Sequence, residues 1–134
     1  MISDVAKGII TKYTGSALAS VLTGGMWQGV AKQDVSSPYC VFIIVDAQNQ
    51  QTYSKAMEFH RVQFTIWTTD INPATASTGL NALETALRTL YDGAVLTVTG
   101  WTNLGMIYDT SRPAYSEDGR VIGVIIEYYT WITK

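Results

Sequence analysis

The chain has 134 residues, a net charge of −2 and one cysteine, Cys40. This length predicts a single domain over residues 1–134 that buries roughly two-thirds of its unfolded surface, and one cysteine excludes an intramolecular disulfide or a cysteine-rich metal site. The nine basic residues are scattered and no apolar run approaches roughly 20 residues, so we expect neither a DNA-gripping face nor a membrane span.

The chain begins with a helical pattern. Apolar residues recur every three or four positions from Ser3 to about Leu22, which predicts an amphipathic helix capped by Ser3. Gly8 and Gly15 each weaken this helix by about 1 kcal/mol relative to alanine, and we expect a break near Gly15. The segment Thr23-Gly24-Gly25 ends the helix.

Two strands follow the first helix. The stretch 26–37 is predicted to be a loop with at most a short extended piece at Trp27. Residues 39–45 form a continuous apolar run rich in β-branched side chains, which is typical of a strand covered on both faces, and Cys40 within it is expected to be a buried core residue. The polar segment 46–55 is predicted to project as a flexible loop. Residues 58–68 alternate between apolar and polar, as in a half-buried strand.

The second helix is the most clearly marked element. Asn72 is a good cap residue and Pro73 suits the first helical position. Four leucines make its apolar stripe: Leu80, Leu83, Leu87 and Leu90. Asp92-Gly93 ends it.

The last third of the chain predicts a hairpin and a final strand. A short strand at 95–99 is interrupted near Trp101, and the extended pattern resumes at 104–108. A second polar loop is expected at 110–119, followed by a last strand at 120–132. The predicted fold is therefore α+β, an antiparallel sheet of about four strands packed against two helices in the order α-β-β-α-β-β.

The sequence offers little catalytic chemistry. His60 is the only histidine; Glu58 shares its strand face, and Asp46 or Asp109 could lie nearby. There is no second histidine, no glycine-flanked serine and no carboxylate cluster. We therefore expect no enzymatic activity, no metal and no cofactor. The default interpretation of His60 is a strand-end histidine that is hydrogen-bonded to the backbone.

Composition favours an oligomeric subunit over a tyrosine-rich monomer. Charged residues make up 15% of the chain, against about 25% in an average protein, while tyrosines number 8 and tryptophans 4. Aromatic residues are enriched at the centres of protein–protein interfaces. Trp67, Tyr128, Tyr129 and Trp131 lie toward strand ends, where they could pack in the core or anchor a neighbour. Trp131 is the better interface candidate because it lies close to the end of the sequence.

Four segments carry a resemblance to a known family. They are Pro38–Phe42, Val62–Trp67, Leu80–Leu90 and Val124–Trp131. Their order and pattern resemble the tail-completion proteins of long-tailed bacteriophages, also called tail-terminator or head-to-tail joining proteins. The region before Pro38 departs most from the family pattern.

The resemblance implies a small subunit that assembles into a homo-oligomeric ring, typically hexameric. Such a ring caps the tail-tube protein and contacts the head-connector protein, and it has no catalytic residues to carry over. Sparse charge of mixed sign suits a ring through which DNA passes without specific nucleic-acid binding. We place the interface candidates mainly in the two polar loops: Gln48, Gln50, Gln51, Tyr53, Lys55, Arg112, Tyr115, Glu117 and Trp131.

The same resemblance implies a location in the tail or neck of a virion that is assembled in the host cytoplasm. The start of the chain lacks the pattern of a signal peptide, which agrees with a soluble cytoplasmic protein that has no membrane partner. The alternatives are another phage neck or connector component, a small-molecule-binding α+β domain that uses Trp67 or Trp101, and an enzyme built on His60.

Overall fold

The computed structural model describes residues 2–50, 55–70, 72 and 75–134. The helices and strands follow one another as α1 (Ile2–Tyr13), α2 (Ala17–Val21), β1 (Met26–Gln28), β2 (Tyr39–Asn49), β3 (Met57–Thr68), α3 (Ala76–Tyr91), β4 (Thr97–Val98), β5 (Trp101–Tyr115) and β6 (Ile122–Thr133). The strands form one mixed, curled sheet in the order β1-β2-β3-β6-β5-β4.

The predicted sheet of about four antiparallel strands, packed on two helices in the order α-β-β-α-β-β, is wrong. The described part of the chain has six strands and three helices, and β1 runs parallel to β2, with Met26 opposite Cys40. The short extended piece that the sequence allowed at Trp27 is β1, but three residues are too few to predict that it pairs with β2 in the sheet. Gly15 adopts a φ of +76°, which ends α1 and separates it from α2.

Both predicted polar loops begin with strand residues. β2 continues through Asn49 and β5 continues through Tyr115, so residues 46–49 and 110–115 pair with their neighbours in the sheet. Register irregularities at 44/46 and 108/110 break the alternation in both strands. Polar composition there reflects exposure to solvent rather than a loop conformation.

The second helix starts later than predicted. α3 begins at Ala76 with Thr75 as its cap residue, and the Thr75 hydroxyl donates to the carboxylate of Asp70 at 2.9 Å. Pro73 lies outside the described residues. At the other end, Gly93 with a φ of +69° follows the cap residue Asp92, as the sequence predicts.

The helices cover one face of the sheet, where an aromatic core lies. The ring of Phe64 on β3 stacks on Tyr91 of α3 at 4.8 Å and meets Tyr128 of β6 edge-on at 5.8 Å. The Tyr91 hydroxyl donates to the carbonyl of Ile9 at 2.9 Å, which ties α3 to α1. Cys40 is fully buried on this face, as predicted, and burial raises the pKa of its thiol.

A buried asparagine holds the irregular start of β5. The Asn103 side chain accepts hydrogen bonds from the backbone N–H of Leu96 and of Gly105, and its amide donates to Thr130 and to the carbonyl of Trp131. Every polar atom of the side chain is therefore satisfied. These bonds fix the register shift between β5 and β6 and the position of β4.

Within the described part of the chain, no helix has both the length and the apolarity that crossing a membrane would require.

Candidate functional site

The sheet face opposite the helices, here called the open face, carries half-buried residues in rows that cross the strands. Register places Tyr39 beside Trp67, then Val41–Thr65–Ile125, Ile43–Gln63–Glu127, Asp46–Arg61–Tyr129–Ile107, and Gln48–Phe59–Trp131. Apolar and polar side chains share this face. It is therefore suited to contact with another protein surface rather than to a fully dry core.

An aromatic group covers one end of the open face. The Phe59 ring lies 5.0 Å from that of Trp131 and 5.2 Å from that of Tyr129. The Trp131 indole donates to the side-chain oxygen of Gln50 at 3.2 Å. Trp131 thus lies on the open face, whereas its near neighbour Tyr128 lies in the core.

Charged side chains of both signs lie between the aromatic residues. Arg112 forms an ion pair with Glu127 at 3.1 Å, and Arg61 lies over the ring of Tyr129. Asp46 and Arg61 are opposite each other in the register, yet Asp46 Oδ1 and Arg61 Nε are buried and have no hydrogen-bond partner among the described residues. The open face therefore offers polar groups for specific contacts, and its charges of the two signs are interspersed.

His60 lies on the helix-covered face and is fully buried. Its Nε2 lies 3.1 Å from Glu58 Oε1, so it contacts a carboxylate rather than the backbone carbonyl that the sequence suggested. Burial lowers its pKa. No cluster of three or more metal-ligating side chains occurs among the described residues. Without solvent access, His60 is placed to support the fold rather than to meet a substrate.

The described residues among the predicted interface candidates lie toward the two opposite ends of the sheet. Gln48, Gln50 and Lys55 lie at the end where β2 leads to β3, on the same side as Trp131. Gln51 and Tyr53 fall outside the described residues.

The remaining three predicted residues belong to the other end. Tyr115 ends β5 and is 72% exposed, Glu117 lies in the turn that follows, and Arg112 lies on β5 three residues before Tyr115. β6 runs between the two ends and has 12 residues. The ends therefore lie roughly 36 Å apart at about 3.3 Å per residue. The two groups of residues therefore form two separate surfaces at opposite ends of the sheet.

The two tryptophans proposed for ligand pockets line separate grooves. Trp67 lines a groove of about 590 Å³ between the open face and residues 29–35. Trp101 lines a cavity of about 670 Å³ together with Ile2 and Met57. Neither contains a titratable cluster that would indicate a reaction.

Sequence reasoning missed the lateral edges of the sheet. Val30, Ile43 and Val45 are exposed where β1 and β2 form one edge, and Val95, Leu104 and Ile107 are exposed along the edge formed by β4 and β5. The run Ile43-Ile44-Val45 was interpreted as a strand covered on both faces. Its apolarity was the available signal, since in the structure β3 pairs with its inner edge and no described strand lies along its outer edge.

No family model matches this sequence, and no curated protein matches it. Solved structures do match. A chain described as the virion of a native gene transfer agent particle shares the fold with a TM-score of 0.77 and 15% identity, over 96% of this chain and 93% of that chain. A second structure, whose protein name states no function, gives a TM-score of 0.60 and 12% identity over 97% and 94%.

Proposed function

We propose that this chain is a virion structural subunit that forms an oligomeric ring, caps the tail tube and helps to join the tail to the head. The observation that carries the proposal is the fold shared, over nearly the whole length of both chains, with a component of a gene transfer agent virion. The sequence resemblance to tail-completion proteins supports the same role. A virion subunit works through its surfaces, and the open face with its mixed chemistry suits such a role.

The geometry of the sheet fits a ring subunit. A subunit in a ring needs two lateral contacts with its neighbours and two axial contacts with the layers above and below. The long strands run between two ends that lie far apart and bear different residues, and the sheet has two lateral edges. Gln48 and Lys55 mark one axial surface, and Tyr115 and Glu117 mark the other.

We assign these two ends to different partners, one to the tail-tube protein and the other to the head-connector protein. Charges of both signs on the open face, such as Arg61 with Asp46 and Arg112 with Glu127, do not form the basic stripe that binds nucleic acid. We therefore propose that DNA passes a ring of this protein without specific binding. The expected location is the neck of a particle assembled in the host cytoplasm.

Electron microscopy of particles made without this gene tests the proposal. We expect filled heads and tails that are unjoined or of aberrant length. Normal joined particles would exclude the role. Loss of tails altogether, or of filled heads, would instead point to another neck or connector component.

The two ends can be tested separately. The pair Gln48→Ala and Lys55→Ala should impair binding to one axial partner, and the pair Tyr115→Ala and Glu117→Ala should impair binding to the other. Thr85→Ala, at an exposed position on α3, is the control. Equal loss of both partners from either variant would contradict the assignment of one partner to each end.

A further inference from the structure

Exposed apolar side chains are concentrated on the two lateral edges of the sheet. Among the described residues, nine large hydrophobic side chains are exposed; six of them lie along these edges, and Tyr115 lies at the axial end of β5. We call Val30, Ile43 and Val45 the β2 patch, and Val95, Leu104 and Ile107 the β5 patch. Scattered exposed apolar residues need no explanation, but two groups on opposite edges of one sheet do.

Each patch lies beside a strand segment whose outer edge is not paired. β1 pairs with β2 only at Cys40–Phe42, so after Phe42 no described strand lies along the outer edge of β2, the edge opposite β3. β4 pairs with β5 only at Trp101-Thr102, and the backbone of Met106 bonds to residues 93 and 94. Beyond Met106, none of the described strands lies along the outer edge of β5. An unpaired edge offers a row of N–H and C=O groups whose natural complement is another strand.

The β2 edge carries only part of the usual protection against such pairing. Natural edge strands use lysine, proline, inward-pointing charges or bulges to prevent association. The segment 43–49 has no lysine and no proline. Its protection is limited to the bulge at 44/46 and to one charged residue, Asp46, which lies opposite Arg61 within the sheet.

We propose that copies of this chain assemble head to tail, with the β2 edge of one copy pairing with the β5 edge of the next. The inference rests on the ring in the proposed function and names the surface that builds it. The four long strands β2, β3, β6 and β5 alternate in direction through three antiparallel pairings. Because four is an even number, a second copy in the same orientation places its β2 antiparallel to β5 and continues the alternation.

The occupant of each patch is therefore another copy of this chain. The two patches differ in composition and lie on opposite edges, so a two-fold dimer would cover one patch on each copy and leave the other exposed. A head-to-tail contact covers both, and it closes into a ring when the rotation between copies allows. The curl of the sheet supplies a rotation of constant sign.

The positions of β1 and β4 set the stagger between copies. β1 covers residues 40–42 near the start of β2, and β4 covers the first residues of β5, so the free segments lie toward opposite ends of the sheet. Strands tilted to the ring axis bring such segments together, as in closed barrels. Pro113 has no N–H to donate, so we expect pairing within 107–111, on either side of the irregularity at 108/110, rather than through Pro113.

Interface size indicates that backbone pairing must be accompanied by side-chain contacts. A stable protein interface buries roughly 800 Å² on each partner, whereas a strand of six residues is only about 20 Å long. The apolar patches beside each free edge supply the additional area. A groove of about 310 Å³ between α3 and β5, lined by Leu80 and Pro113, can receive side chains from the incoming strand.

Two charged variants test the inference. Val45→Lys blocks the β2 edge and Ile107→Lys blocks the β5 edge, and each should lower the association constant at least about tenfold in sedimentation velocity. Val21→Lys is the matched control, because Val21 on α2 is 43% exposed and Val45 is 46% exposed. Circular dichroism and thermal melting establish that each variant is folded.

Mixing the two variants gives the decisive result. Neither variant should form rings alone, yet an equimolar mixture should form a dimer, because each copy retains the edge that the other lacks. Wild-type-like assembly of either variant, or a mixture that stays monomeric, would overturn head-to-tail pairing. A wild-type chain that stays monomeric up to its solubility limit would also overturn it. Particle morphology without the gene tests the virion role independently, so the two failures are distinguishable.

Discussion

Adjacent residues on β3 belong to two very different environments. Phe64 is fully buried between the sheet and the helices, whereas Thr65 faces the opposite way in a row with Val41 and Ile125. The helix-covered face holds the fold together through close aromatic packing. The open face keeps a mixture of aromatic, charged and amide side chains that a folded monomer does not need to bury. The difference indicates that the helix-covered face supplies most of the fold's stability, while the open face contributes less to it.

The largest effect on stability is expected from a substitution on the helix-covered face. Phe64→Ala should lower the free energy of unfolding by about 3–5 kcal/mol, because it removes a ring that contacts Tyr91 and Tyr128. Thr65→Ala, one residue away, should cost less than about 1 kcal/mol. Denaturant unfolding of both variants measures the difference. Equal losses would mean that the open face also supports the fold.

The helix-covered elements were the most predictable from sequence. The leucines of α3 and the alternation in β3 and β6 report burial on one side, and burial is what sequence periodicity records. By contrast, β1 is too short for a period, and the ends of β2 and β5 are polar because solvent surrounds them. Asn103 resembles a turn residue in the sequence, yet it lies buried in a strand because all its hydrogen bonds are satisfied.

The candidate site was predicted only in part, for the same physical reason. Gln48, Lys55, Tyr115 and Glu117 are polar or amphipathic residues near chain reversals, and they do lie at the ends of the sheet. Which aromatic residues face the core depends on strand register, and register is set by tertiary pairing. The lateral edges depend on strand order, which no local pattern encodes.

An effect of intermediate size is expected from His60, which is buried on the helix-covered face. Burial lowers the pKa of His60, so the folded state binds its proton less readily than the unfolded state does. Between the lowered pKa and about 6.5, the unfolded chain binds more protons, and the protein should lose stability as the pH falls through this window. The neighbouring carboxylates of Glu58 and Asp46 oppose the shift without reversing it.

His60→Gln should remove this component of the pH profile. His60 is the only histidine in the sequence, and the α-amino group that titrates nearby is present in both proteins, so the difference in slope between them reports the titration of His60. The free energy of unfolding should be measured from pH 8 to pH 5. In the native chain it should fall with a slope smaller than the slope produced by the uptake of one full proton on unfolding. In the variant it should fall less steeply. An identical slope in both proteins would show that His60 is not held neutral by the fold.

The smallest expected effect tests the open face. Arg112 is 48% exposed and Glu127 is 14% exposed, although they form one ion pair. Removing Arg112 leaves a largely buried carboxylate without its partner, whereas removing the charge of Glu127 leaves a guanidinium that water can solvate. Arg112→Ala should therefore cost about 0.5–1 kcal/mol and Glu127→Gln less than about 0.5 kcal/mol. Raised salt should reduce the cost of both variants, because screening weakens the pair in the native chain. If both variants cost as much as Phe64→Ala, the open face would support the fold as strongly as the helix-covered face does.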